Sequence, residues 1–195
     1  MFRPVLITNT QKNLTRLLFL ATDLPLSLKK MVGCIVAYNS KKMHIGAGTF
    51  VGNAFLTASH IFSFNFEQAV VVCYVSPHTV ATIPVVSVSM YPERDIAKCQ
   101  VSIPPFIKPA GLITETTEIP ITKLYAFGCP QGLFGIYWKP AIVSQTAELL
   151  VSQGMAIPGV SGGGILAKLD KNWYLIAIHS FAILETGTLY SYRIP

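Results

Sequence analysis

Residues 46–60 read GAGTFVGNAFLTASH. The stretch belongs to a β-rich run, HIGAGTFVG at 44–52, and continues through a short apolar strand into a turn of small residues. Such a turn leaves the His60 imidazole exposed at a strand end. The pattern recurs on both sides. VGCIVAYN at 32–39, AVVVCYV at 69–75 and ATIPVVSVSM at 81–90 are crowded with β-branched residues, as are KLYAFGC at 123–129 and GIYWKPAIVS at 135–144. GILAKL at 164–169, WYLIAIHSF at 173–181 and TLYSYRI at 188–194 complete the series. Valine, isoleucine, threonine and tyrosine at this density favour strands, and helical periodicity is confined to the stretch near 11–22. Many short strands at regular spacing predict an all-β barrel or sandwich.

Between the two strand clusters lies PPFIKPAGLITETTEIP, residues 104–120, with four prolines. Proline cannot donate to a central ladder, so the segment reads as a connector over the surface. The chain divides into an N-terminal extension (1–30) packing on the rest, a first β unit (31–103), the connector (104–120) and a second β unit (121–195).

Of the 195 residues 51% are apolar and 12% charged, the composition of a folded chain. The apolar stretch at 14–28 is interrupted by Arg16 and Asp23, which predicts neither a secretory signal nor a membrane span. Cysteines 34, 73, 99 and 129 lack the close pairing of zinc ligands and read as buried free thiols of a reducing, intracellular compartment. No metal or cofactor is expected. The net charge of +6 has no concentrated basic tract, so it describes a solvated surface and leaves only weak RNA contact open.

Residues 156–166, AIPGVSGGGIL, centre a serine on a glycine-rich turn of the kind that points amides inward. A serine hydroxyl becomes a nucleophile only with a base, a group that orients the base, and a site for developing negative charge. The chain has three aspartates (23, 95, 170) and four histidines (44, 60, 78, 179). His60 at its strand end and Asp95 in YPERDIAKCQV, in a polar turn before another apolar strand, are the natural partners for Ser161.

In this order and context the three segments resemble the trypsin-like, chymotrypsin-fold serine proteases. GAGTFVGNAFLTASH is similar to the strand that leads to that family's catalytic histidine, RDIAKCQV to the strand carrying its aspartate, and PGVSGGGIL to its G-D-S-G-G-P turn. AFGCPQG at 126–132 and AIVS at 141–144 look like elements of its second barrel. The resemblance implies two antiparallel six-stranded β-barrels with the active site between them. It implies a serine endopeptidase acting on a peptide or polyprotein, in which Ser161 attacks, His60 takes the proton and Asp95 orients the imidazole. The amides of Gly159 and Ser161 would form the oxyanion hole. A protease-like fold retained as a catalytically silent binding module is the alternative.

Val160 stands where secreted members carry an activating aspartate, and Ile61 where many carry a cysteine. Both departures resemble the bacterial and viral branches, including polyprotein-processing proteases, more than the digestive enzymes. WYLIAIHSFA at 173–182 resembles the strand lining the S1 pocket. By that match Ser180 supports Asp95, Phe181 and Ala182 border the substrate path, and Met155 and Ala156 lie at the pocket base without an acid. His179 falls where glutamyl endopeptidases and viral 3C-like proteases carry histidine, which implies cleavage after Gln or Glu. Ala177 in place of a motif glycine and Ala156 in place of a threonine favour the other reading, a core histidine beside an apolar pocket that takes medium-sized apolar residues.

Overall fold

The computed structural model describes residues 24–76, 79–114, 119–130, 135–154 and 156–195. The helical stretch expected near 11–22 lies outside these residues, and the helix described is the single turn α1 (Leu26–Lys29). Its Leu28 is buried, and Ser27 Oγ accepts a 3.2 Å hydrogen bond from Trp173 Nε1.

The rest is β structure in two units. Strands β1 (Val32–Tyr38), β2 (Met43–Val51), β3 (Ala54–Ala58), β4 (Gln68–Ser76), β5 (Thr79–Tyr91) and β6 (Ile96–Val101) form a closed barrel in the order β1-β2-β3-β6-β5-β4. Closure leaves no exposed sheet edge and encloses side chains that alternate inward along each strand. In β6, Ile96, Cys99 and Val101 are buried while Lys98 and Gln100 face water. Phe50 and Phe55 face each other across β2 and β3 and meet edge-on at 4.9 Å in the core.

The second unit comprises β7 (Gly111–Leu112), β8 (Leu124–Gly128), β9 (Ile136–Trp138), β10 (Ala141–Gln145), β11 (Leu149–Gln153), β12 (Gly164–Leu169), β13 (Asn172–Ile183) and β14 (Thr188–Arg193). These run β10-β11-β14-β13-β12-β8-β9, with β7 added in parallel to β13. The all-β, two-unit architecture holds, but the second unit is a curled sheet of eight strands, and no pairing joins the described residues of β9 and β10. The run 135–144, which reads as one strand, divides at Lys139–Pro140 because proline offers no N–H to continue the ladder.

The connector is also more buried than its prolines suggest. Ile107, Ala110 and Ile113 are buried, and the backbone is stitched to both units. Ala110 N donates to Phe50 O at 2.8 Å and Ile113 N to Leu175 O at 3.0 Å. Prolines exclude the segment from a central ladder, yet the apolar residues between them still gain by leaving water.

All four cysteines are buried and none forms a disulfide, as expected. Among the described residues no helix is long and apolar enough to cross a membrane.

Because Phe55 is fully buried against Phe50, Phe55→Ala should lower the unfolding free energy by about 3–5 kcal/mol. Urea denaturation would register this as a lower midpoint with an unchanged slope.

Candidate active site

Strand register brings His60 and Asp95 together. β3 pairs with β6 so that Ala58 lies opposite Ile96, which sets the following Ser59 beside the preceding Asp95. Ser59 N donates to Asp95 O at 3.1 Å. After β3 the chain tightens into a 3₁₀ turn, Ser59–Phe62, anchored by buried Ile61 and Phe62. That anchoring turns the His60 side chain outward, leaving it 44% exposed. On the other strand a 3₁₀ turn, Pro92–Arg94, ends at Asp95, which is left-handed at φ 50°. Aspartate is one of the few residues with a side chain that visits this region readily.

The Asp95 carboxylate collects four donors. Oδ1 accepts from Ser59 Oγ and from the His60 backbone N–H, each at 2.8 Å. Oδ2 accepts from His60 Nδ1 at 2.6 Å and from Ser180 Oγ at 2.5 Å. An ionised carboxylate only accepts, so His60 carries its proton on Nδ1 and its neutral form presents Nε2 as a base. Partial burial would raise the Asp95 pKa. The hydrogen bonds from His60 and Ser180, with the His60 charge, outweigh it and bring the value down to about 2.

Ser161 lies on the turn between β11 and β12. The turn is fastened to both units through its backbone. Ser161 O accepts from Ala47 N of β2 at 2.8 Å, Gly162 N donates to His179 O at 2.8 Å, and Gly159 O accepts from Cys129 N at 3.1 Å. Gly162 has φ 79°, and a Cβ there would drive into Thr57 Oγ1 and come within 2.9 Å of Ala58 N. Only glycine lets the turn approach the end of β3, where His60 follows. Gly159, at φ 92°, needs the same freedom. Among the described residues the N–H groups of Gly159 and Ser161 have no backbone acceptor. Val160 is buried against Gly128 of β8, so apolar packing anchors the turn.

Of the remaining residues singled out from sequence, His179, Ser180, Phe181 and Ala182 lie on β13. Ser180 is buried at Asp95, Phe181 is exposed and stacks on Tyr190 at 4.4 Å, Ala182 is half-buried, and Ala156 is buried. Met155 and His78 lie outside the described residues. His179 is fully buried; its Nδ1 pairs with Ser191 Oγ at 2.7 Å and its ring stacks on Trp138 at 5.9 Å. Burial pushes its pKa down to about 3, and the Phe127 backbone opposes the shift. His179 is therefore neutral, with Nε2 unpartnered among the described residues. His44 joins none of this and instead contacts Ile61 O and Phe64.

Sequence reasoning missed Ser59, Ser191 and Trp138. Strand pairing identifies the first two, since Ser59 follows the Ala58–Ile96 pair and Ser191 lies opposite His179. Among the described residues no group of three His, Cys, Asp or Glu side chains is placed to hold a metal ion.

No protein-family model matches the sequence, and no curated protein matches it. Solved structures do. The active form of a protease from M. tuberculosis is similar at TM-score 0.68 and 16% identity, over 87% of this chain and 79% of that one. A serine endoprotease from Yersinia pestis is similar at TM-score 0.66 and 16% identity, over 88% of this chain and 64% of that one. The protease Anisep from Arthrobacter nicotinovorans is similar at TM-score 0.61 and 13% identity, over 84% and 90%. The chain has the chymotrypsin-like serine protease fold.

Asp95 has a folded pKa of about 2 against an ordinary 3.8, so its bonds stabilise the fold fully above about pH 4. That stability is lost as the pH falls through the folded value, because the carboxylate must then be protonated. About 2 kcal/mol should disappear between pH 4 and pH 2. Asp95→Asn should flatten this part of the curve, measured by urea unfolding across that window.

Proposed function

We propose that the protein is a serine endopeptidase that cleaves peptide bonds through an acyl-enzyme formed on Ser161. The observation that carries this reading is the Asp95 carboxylate, which fixes His60 with its proton on Nδ1, next to a glycine turn that presents a serine. His60 Nε2 takes the Ser161 proton as Oγ attacks the carbonyl carbon, then returns it to the leaving amine. Asp95 holds the tautomer and balances the imidazolium. The Gly159 and Ser161 amides receive the oxyanion, a role their lack of backbone acceptors supports.

The same reading assigns a preference for P1 glutamine or glutamate to His179. This requires Ser191 Oγ to donate to Nδ1, which leaves the proton of the neutral ring on Nε2, and requires the buried Nε2 to become accessible when a side-chain carbonyl or carboxylate binds. Phe181 and Ala182 border the peptide. Substrates of this type include viral polyproteins, and the four free thiols suit an intracellular setting.

A fluorophosphonate probe should label Ser161 in the wild-type protein and fail to label Ser161→Ala. Both Ser161→Ala and His60→Ala should lose on the order of 10⁶ in kcat while remaining folded. A folded wild-type protein that neither reacts with the probe nor cleaves a peptide library is a silent binding module, and the enzyme reading falls.

For specificity, wild type and His179→Ala should be profiled on matched Gln, Glu, Leu and Lys peptides. Gln or Glu should lead in wild type and lose that lead in the variant. A leucine preference unchanged by the substitution refutes the histidine pocket and leaves an apolar one.

A further inference from the structure

Among the described residues the Asp95 turn is tied to the second unit through the Asp95 carboxylate and also through Arg94. Arg94 ends the 3₁₀ turn immediately before Asp95, and its guanidinium crosses to the second unit. Nη1 donates to the Arg193 carbonyl at 3.5 Å, and Nη2 lies 3.4 Å from Glu148 Oε1. Both acceptors belong to one corner, since Arg193 N donates to Glu148 O at 2.7 Å. Arg193 lies opposite Ala177 on β13, the strand that also supplies Ser180 to Asp95. Adjacent residues of one tight turn therefore reach adjacent strands of the other unit.

We propose that Arg94 is a positioning residue, a strap that holds the Asp95 turn against the second unit so that Asp95 stays between His60 Nδ1 and Ser180 Oγ. The inference rests on the assignment of Asp95 as the group that orients His60. Two features support it. Asp95 Oδ2 serves donors from both units, so a small shift between the units stretches one bond or the other. Glu148 is 66% exposed, so the pair adds little to folding stability, and its consequence is geometric. The planar guanidinium reaches two acceptors at once, whereas an ammonium at this position is a single point charge.

The test uses the full chain as wild type, Arg94→Ala and Arg94→Lys, with two independent readouts. One is the low-field NMR resonance of the His60 Nδ1 proton, which reports the bond to Asp95. The other is steady-state hydrolysis of a peptide substrate. Arg94→Ala should broaden or abolish the resonance and lower kcat about 10- to 100-fold, with KM within about twofold. Its thermal midpoint should stay within about 3 °C of wild type. Arg94→Lys should recover part of both signals. A wild-type resonance and kcat in Arg94→Ala overturn the strap. So does a loss that merely follows a large fall in thermal midpoint and that lysine does not relieve. If no variant, wild type included, hydrolyses peptide while the resonance still responds to Arg94, the strap stands and the peptidase reading fails.

Discussion

The organising constraint is the hydrogen bonding of one partly buried carboxylate. Asp95 receives Ser59 Oγ, the His60 backbone and the His60 ring from its own barrel, and Ser180 Oγ from the other unit. A carboxylate taken out of water needs its lone pairs satisfied, and four donors do this while favouring the ionised form. Satisfying Asp95 thereby fixes the His60 tautomer, the start of the 3₁₀ turn and the approach of β13. Charge balance and orientation are one problem here, with one solution.

The serine turn is governed differently, by backbone contact and the absence of side chains. Its carbonyls and amides are shared among Ala47, Cys129 and His179, which lie on different parts of both units. Gly162 gives the turn the close approach it needs to the end of β3. Buried Val160 supplies anchoring that a charged residue would supply only with a charged partner, and no such pair has to be desolvated.

The buried histidine of the second unit is neutral. His179, buried and kept uncharged, has one ring nitrogen occupied by Ser191 and the other unpartnered. A buried polar atom left without a partner is costly, and such sites recur where a ligand completes the bonding. Trp138 Nε1 is also buried without a partner among the described residues.

Sequence alone carried the β character of the chain, its two-unit architecture, the burial of its cysteines and the pairing of His60 with Asp95. These depend on local composition and on short motifs whose residues are neighbours in the chain. It also named Ser180 as a partner of Asp95, through resemblance rather than through any local signal. Tertiary structure decided what depends on register and contact between distant segments. The division at Pro140, the burial of Ile107 and Ile113, and the open curl of the second sheet follow from which strands find partners. Ser59, Ser191 and Arg94 read in sequence as ordinary polar residues. Their significance comes from strand pairing and from the meeting of two units, because a hydrogen bond depends on distance in space and local sequence specifies only distance along the chain.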